Sequence, residues 1–326
     1  MADGDANDQD LAGLIDTSVA HQSRIYDYWL GGKDNFAVDR EAAEQALAAY
    51  PGLRRGVRAQ RPFLAHAVRY LAGPAGIRQF LDIGTGIPTA SNTHEVAQAI
   101  APDARVVYVD NDPMVLAHAR ALLTGTTSGA TSYLDADLRD TQQILDAASE
   151  LLDFRQPIAV LLIGVLQLIP DTDEPHAIVA RLVEAVSPGS WLAVFHPASD
   201  IYPDQIGEAA RRVNARSANT TTLRTHAQIA RFFDGLKILD PGVVQVHRWR
   251  PGAAAPDDGE QTPVTPGSHA SRADGKRDLR WRVGARSAVE DRAGGHAYPP
   301  AGTPPQHLDV EADRHGGPAG QRLQRE

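Results

Sequence analysis

The spacing of hydrophobic and polar positions changes twice along the chain. In the middle of the chain, short apolar runs have the length and β-branched content of buried strands. They cover residues 79–83, 105–109, 131–134, 158–163 and 191–195. Longer stretches with helical spacing lie between and after them, over residues 92–100, 114–123, 141–152, 176–186 and 226–233. Strands that alternate with helices predict an α/β fold, with a mostly parallel twisted sheet and helices on both faces.

The first part of the chain has no strand pattern. Residues 1–16 are small, polar and acidic, which is typical of a disordered segment. Three helices are predicted after it, over residues 18–30, 39–49 and 57–71. We therefore predict an N-terminal helical segment over residues 17–74, followed by a Rossmann-like domain over residues 75–250.

Local signals mark the boundaries of these three helices. Gly31 and Gly32 follow the first helix as a C-cap would. Asp39 is predicted as the N-cap of the second helix, and Pro62 as part of the first turn of the third.

The chain after residue 250 is rich in Pro and Gly, a composition that seldom folds. Residues 236–249 before it read as a strand with a turn at Pro241-Gly242. Within the tail, over residues 251–326, apolar and polar residues alternate across 279–286, which predicts an edge strand. The rest of the tail is predicted to be disordered.

Composition restricts the class of protein. The net charge is -9, which disfavours nucleic acid as a partner because phosphate backbones are bound by clustered Lys and Arg. There is no cysteine, which removes disulfides and thiolate chemistry, and the histidines lack the spacing of a metal site. No apolar stretch reaches membrane-spanning length, so no membrane partner and a cytoplasmic location are expected.

The end of the first predicted strand carries the strongest chemical signal. Asp82 and Ile83 lead into Gly84, Thr85 and Gly86. A cofactor that crosses the strand ends needs backbone close by, and glycine permits both that approach and a sharp turn. A short glycine motif alone is equally compatible with an ordinary strand-to-helix turn.

Acidic residues follow three of the predicted strands, and they restrict the class of ligand that this site can bind. Asp82 is misplaced beside a pyrophosphate but suits S-adenosylmethionine, which is cationic and lacks phosphate. Asp110 at the end of the second strand is placed to accept hydrogen bonds from ribose hydroxyls, with Asn111 beside it. Asp137 and Leu138 after the third strand are candidates for binding adenine. The alternative is that these acids cap helices or lie in solvated turns.

The sequence resembles the class I, Rossmann-like S-adenosylmethionine-dependent methyltransferases. More narrowly, it resembles the actinobacterial S-adenosyl methyltransferase family once catalogued as a domain of unknown function. The similar stretches are residues 24–36, Asp39-Arg40, residues 82–89, residues 92–97 and residues 108–113. This resemblance implies methyl transfer from S-adenosylmethionine and cofactor binding around residues 82–86 and 110–112. Pro88 replaces the third glycine of the general motif, as in the narrower family, and Gln167 stands where the family tends to have histidine.

Four further residues are candidates for the site. Tyr26 and Trp29 share one face of the first helix, which we predict to close over the cofactor or else to pack in the core. Gly164 after the fourth strand is a candidate cofactor contact. His196 after the fifth strand is a candidate general base, or a structural histidine.

The sequence does not identify the methyl acceptor, and it leaves two alternative functions open. Gln167 is a candidate for lining the acceptor pocket, and the net charge favours a small-molecule acceptor. The alternatives are a non-catalytic protein that binds S-adenosylmethionine as a regulator, and an NAD-dependent oxidoreductase. The latter requires a third glycine where Thr89 stands.

Overall fold

The computed structural model describes residues 15–88, 91–122, 129–239, 241–249 and 282–287. Residues 1–14 of the predicted disordered segment 1–16, Thr89, and most of the predicted tail lie outside these ranges. Three helices come first: Gln22–Leu30 (α1), Ala37–Ala49 (α2) and Leu53–Ala72 (α3).

Strands and helices then alternate through the middle of the chain. They are Gln79–Ile83 (β1), Thr93–Ile100 (α4), Arg105–Asp110 (β2), Pro113–Leu122 (α5), Ala130–Asp135 (β3), Thr141–Ala148 (α6), Ala159–Ile163 (β4), Pro175–Ala185 (α7) and Trp191–His196 (β5). The remaining elements are Pro203–Asn214 (α8), His226–Ala230 (α9), Lys237–Ile238 (β6), Val244–Gln245 (β7) and Arg282–Ser287 (β8).

The strands form one sheet in the order β3-β2-β1-β4-β5-β8-β6, with β7 also paired to β8. The first five strands run parallel, and β8 runs antiparallel to β5. Because the strand order reverses between β1 and β4, a crevice opens there at the carboxyl ends of the strands. The predicted Rossmann-like α/β fold is therefore confirmed.

The central strands are buried on both faces, which explains their continuous apolar runs. Every residue of β1 and of β4 is buried. Phe80 packs in the same apolar cluster as residues of α1, α2, α3 and α8, whereas its neighbour Leu81 packs with residues of α6, α7 and α9. The three N-terminal helices thus form part of the cover on one face of the sheet.

Two helix boundaries differ from the sequence prediction. Asp39 is not the N-cap of α2 but its third residue, and its Oδ2 accepts the N–H of the N-cap residue Phe36 at 2.8 Å. Helix α3 begins at Leu53, so Pro62 lies in its interior rather than in its first turn. Val57 and Phe63 on either side of Pro62 are both buried, and this packing outweighs the backbone hydrogen bond that proline removes.

Helix α8 was not predicted from the sequence. It starts with Pro203 and buries only Ile206, Ala209 and Val213. Its other positions are mostly charged or polar, so the apolar stripe is narrow and weak as a sequence signal.

The C-terminal strands also differ from the prediction. In the described residues of the range 236–249, the regular elements are the two short strands β6 and β7 and a 3-10 turn at Val246–Arg248. The predicted edge strand is present as β8, but it lies between β5 and β6 rather than at the edge, because its backbone pairs on both sides. Residues 279–281 lie outside the described ranges.

None of the helices in the described part of the chain combines the length and apolar character that a bilayer crossing requires.

Candidate active site

A cleft lies at the carboxyl ends of β1 to β4, and helix α1 forms one of its walls. Its empty volume is about 1020 Å³, part of which is open to solvent. Most of the predicted cofactor residues line it: Tyr26, Gly84, Thr85, Gly86, Asp110, Asn111, Asp137, Leu138 and Gly164. The parallel strands bring these residues together because their carboxyl ends meet at one edge of the sheet.

The two glycines after β1 have different roles. Both have positive φ, 73° at Gly84 and 65° at Gly86. A Cβ at Gly84 would lie 2.4 Å from the Cβ of Val165, so this glycine lets the loops after β1 and β4 pack together. A Cβ at Gly86 would meet no atom within 4 Å. Gly86 lines the cleft. Its backbone takes a left-handed turn that favours glycine, and the missing side chain leaves this part of the cleft open.

The carboxylate of Asp110 connects the loop after β1 to the loop after β2. Its Oδ2 accepts the N–H of Gly86 at 2.8 Å, and its Oδ1 accepts the N–H of Asp112 at 3.0 Å. Burial raises the pKa of Asp110 to about 6, against the opposing effect of these two hydrogen bonds. Each carboxylate oxygen has a further lone pair, so Asp110 can accept ligand hydroxyls in the cleft.

Asp137 belongs to a polar network at the outer end of the cleft. Its Oδ2 accepts hydrogen bonds from Asn111 Nδ2 at 2.9 Å and Arg139 Nη1 at 2.8 Å. The Nε of Arg139 also donates to Asp173 at 2.6 Å. Asp137 Oδ1 accepts only the N–H of Arg139, at 2.9 Å, among the described residues. This oxygen can accept a further hydrogen bond.

Asp82 is buried behind the glycine loop and does not line the cleft. Its Oδ2 accepts a hydrogen bond from Thr93 Oγ1 at 2.6 Å. Burial raises the pKa of Asp82 to about 6, and the nearby guanidinium of Arg61 opposes that rise. Arg61 itself lines the cleft. Asp82 can therefore influence a ligand by its charge, whereas direct contact is not supported.

The two aromatic site candidates of α1 lie in different environments. Tyr26 lines the cleft, and burial raises the pKa of its phenol so that it stays protonated. Trp29 is buried in the core, where its Nε1 donates to the carbonyl of Ala43 at 3.3 Å. The structure does not bring Trp29 to the cleft, because this side of the helix packs against α2.

The two candidate catalytic side chains are both buried. His196 is 0% exposed, its Nδ1 donates to the carbonyl of Pro197 at 2.8 Å, and its Nε2 accepts from Arg224 Nη1 at 2.9 Å. Burial lowers the pKa of His196 to about 3. With both ring nitrogens bonded, the geometry does not favour a general base.

Gln167 is also 0% exposed and does not line the cleft. Its Nε2 donates to the carbonyl of Gly164 at 2.6 Å, and its side chain lies near the phenol of Tyr26. Gln167 thus supports the wall formed by Tyr26 and Gly164 from behind, rather than facing an acceptor.

Sequence reasoning missed a group of polar residues that line the cleft from the helical segment. They are His21, Gln22, Ser23, Asp27, Gln60 and Arg61. Gln60 Nε2 donates to the carbonyl of Ile163 at 2.6 Å, which connects α3 to the end of β4. His21 Nδ1 lies 2.9 Å from Asp112 Oδ2, which connects the start of α1 to the loop after β2. Only the resemblance over residues 24–36 pointed toward part of this wall.

Comparison with known proteins relates the chain to one family. The model of the S-adenosyl methyltransferase family matches residues 8–273. No curated protein matches the chain.

Two solved structures are similar over most of their length. One is a DUF574 family protein from Streptomyces avermitilis MA-4680, with 42% identity over 84% of this chain and 99% of that one, at a TM-score of 0.75. The other is a “putative methyltransferase” from Thermobifida fusca YX, with 37% identity over 85% of this chain and 98% of that one, at a TM-score of 0.72. The resemblance noted from the sequence is thereby confirmed.

Proposed function

The chain belongs to the S-adenosyl methyltransferase family and is a methyltransferase that uses S-adenosylmethionine, and we propose that its acceptor is a small molecule bound in the cleft beside α1. The observation that carries the assignment of this cleft to the cofactor is the position of Asp110. Its carboxylate holds the glycine loop while facing a cleft at the reversal of strand order, where ligands of open α/β sheets bind.

We assign the cleft residues to the parts of this cofactor as follows. We assign the ribose hydroxyls to the remaining lone pairs of Asp110. The adenine is assigned to Asn111, Asp137 and the backbone of Leu138. The methionine part then lies along Gly84, Thr85 and Gly86, where side chains are small or absent. Asp82 contributes negative charge from behind this loop.

Bound S-adenosylmethionine supplies an electrophilic methyl group on a positively charged sulfur. When bound, the cofactor would give up this methyl group to a lone pair of the acceptor, and the electrons of the broken carbon–sulfur bond would pass to sulfur. The protein's contribution is to hold the acceptor in line and to exclude water. We assign these tasks to Tyr26 of α1 and to Gly164 and Val165 after β4, which line the cleft together.

Two features support a small-molecule acceptor. Helix α1 forms a wall of the cleft opposite the strand ends, and a partly enclosed space of this kind suits a small acceptor. The chain also carries a net charge of -9, which opposes binding to nucleic acid. A cytoplasmic location stays a prediction from the sequence.

The proposal is tested by incubating the protein with methyl-labelled S-adenosylmethionine and a cell extract divided by dialysis. We expect label in a dialysable product that forms only when the protein is present. Label found only on protein or nucleic acid in the retained fraction would contradict the small-molecule assignment.

A further inference from the structure

The segment after α1 is built around one carboxylate, that of Asp27. Asp27 lies on α1 next to Tyr26, lines the cleft, and is only 4% exposed. The proposed function above uses no residue of the Gly-Gly-Lys-Asp-Asn stretch that follows it. The contacts of this stretch show what it does.

Two residues of the stretch enclose the Asp27 side chain. Asn35 Nδ2 donates to Asp27 Oδ2 at 2.8 Å and to the carbonyl of Gly32 at 3.1 Å. A Cβ at Gly32 would lie 1.8 Å from Asp27 Oδ1, so only glycine fits against the carboxylate. Gly31, with φ of 92°, provides the left-handed C-cap that turns the chain back toward Asp27.

Asn35 is itself held in place. Arg40 Nη1 donates to the Asn35 carbonyl at 2.8 Å and to its Oδ1 at 3.0 Å, which leaves Nδ2 to point at Asp27. The nearby arginine thus binds the asparagine, not the aspartate.

No Lys, Arg or His forms an ion pair with Asp27 within the described part of the chain. Among the described residues, its carboxylate accepts one side-chain hydrogen bond, from the neutral amide of Asn35. A carboxylate removed from water is costly unless a positive charge or several donors compensate it. Because Asp27 lines the cleft, a ligand can supply that compensation.

We propose that the Asp27 carboxylate is the binding site for an ammonium group of a ligand in the cleft. This inference rests on the proposed function, since the cleft must hold the cofactor and the acceptor. Two ligands can provide the group: the α-ammonium of the methionine part of the cofactor, or an amine of the methyl acceptor.

The first experiment compares two ligands by titration calorimetry. S-adenosylhomocysteine carries the α-ammonium group, and 5′-methylthioadenosine lacks the amino-acid part. If the cofactor is the source, Asp27→Asn weakens S-adenosylhomocysteine binding by about tenfold to a hundredfold, as for a lost hydrogen bond to a charged group, and leaves 5′-methylthioadenosine unchanged.

Matched variants separate this effect from misfolding. Asp34→Asn removes the same charge from an exposed position in the same segment and is expected to bind both ligands normally. Gly32→Ala keeps the charge but displaces the carboxylate. It is expected to weaken the binding of S-adenosylhomocysteine in the same way as Asp27→Asn. Gly207→Ala on α8, where a Cβ would meet only Arg211 at 3.6 Å, is the control for the added methyl group.

The second experiment tests the acceptor as the source. The dialysable extract is treated with an amine-selective acetylating reagent before the labelled cofactor is added. If the acceptor is the source, acetylation abolishes the labelled product, and Asp27→Asn also abolishes it while binding S-adenosylmethionine normally.

The inference is overturned if Asp27→Asn changes neither ligand's affinity nor the labelled product. It is also overturned if Asp27→Asn weakens the binding of S-adenosylhomocysteine and of 5′-methylthioadenosine equally, since that would indicate a general effect on the cleft. Failure of the unmodified protein to bind S-adenosylhomocysteine would instead contradict the assignment of the cleft, whatever the role of Asp27.

Discussion

The carboxylate of Asp110 accepts the backbone N–H of Gly86, with 2.8 Å between Oδ2 and the nitrogen. Asp110 ends β2 and Gly86 lies in the turn after β1, so the bond joins the carboxyl ends of two neighbouring strands. The same carboxylate faces the cleft. One acid therefore both shapes the glycine loop and presents acceptor atoms to the ligand.

Replacing Asp110 with Ala is expected to weaken S-adenosylmethionine binding by about 1–3 kcal/mol, the range for a lost buried hydrogen-bonding acid. The variant loses the proposed ribose contact and the bond to Gly86 together. Titration calorimetry measures the effect, and Asp103→Ala, at an exposed position, is the control. Unchanged affinity in Asp110→Ala would remove the ribose assignment.

The preference for S-adenosylmethionine over S-adenosylhomocysteine is expected to grow as the pH rises from about 5 to about 7. Burial raises the pKa of both Asp82 and Asp110 to about 6, so in the free protein both lose their protons across this range. The sulfonium is cationic and favours the ionised acids, whereas the thioether of the product is neutral. The ratio of the two dissociation constants at each pH measures this preference.

Asp82→Asn and Asp110→Asn serve as controls for this pH dependence. Each removes one of the two titrating acids, so each is expected to flatten the change in the ratio. A ratio that does not vary with pH in the unmodified protein would show that neither acid is coupled to the sulfonium.

Substituting alanine at Gly84 and at Gly86 is expected to have different effects. In Gly84→Ala the new Cβ collides with Val165, so the free energy of unfolding falls by more than the backbone strain alone. In Gly86→Ala no atom is close, so stability falls only by the left-handed backbone cost of about 1–2 kcal/mol. The methyl group that Gly86→Ala introduces would instead occupy space in the cleft and weaken cofactor binding.

Urea denaturation and cofactor titration of the two glycine variants provide the comparison. Equal losses of stability in both variants would show that the loops after β1 and β4 do not pack as described.

His196 is expected to support structure rather than catalysis. Replacing it with Leu leaves the Nη1 of Arg224 without this buried acceptor and is expected to cost about 1–3 kcal/mol of unfolding free energy. S-adenosylmethionine affinity should be unchanged, because His196 does not line the cleft.

The titration of His196 gives an independent check. Its pKa is lowered to about 3, so its ring signals in nuclear magnetic resonance spectra should not shift between about pH 5 and pH 8. A midpoint near the ordinary histidine value would contradict the buried, doubly bonded ring and revive its candidacy as a base.

Much of the fold could be predicted because its strands are buried on both faces. Such strands are continuous apolar runs, and the predicted bounds of β1, β2, β4 and β5 agree with the structure to within a residue or two. Helix α8 escaped detection because it buries a narrow stripe among charged residues. The place of β8 inside the sheet could not be read from its alternation, because alternation reports faces and not neighbours.

The sequence by itself determined the parallel sheet, the loop from Gly84 to Gly86 and the acid at Asp110, because each depends on local spacing and on where a strand ends. Only the tertiary structure decided which side chains face the cleft. It turned Trp29 and His196 into the interior and brought Asp27, Gln60 and Arg61 to the wall. The physical reason is that burial and hydrogen-bond partners are settled between residues far apart in the chain, such as His196 with Arg224, and no local pattern records those pairs.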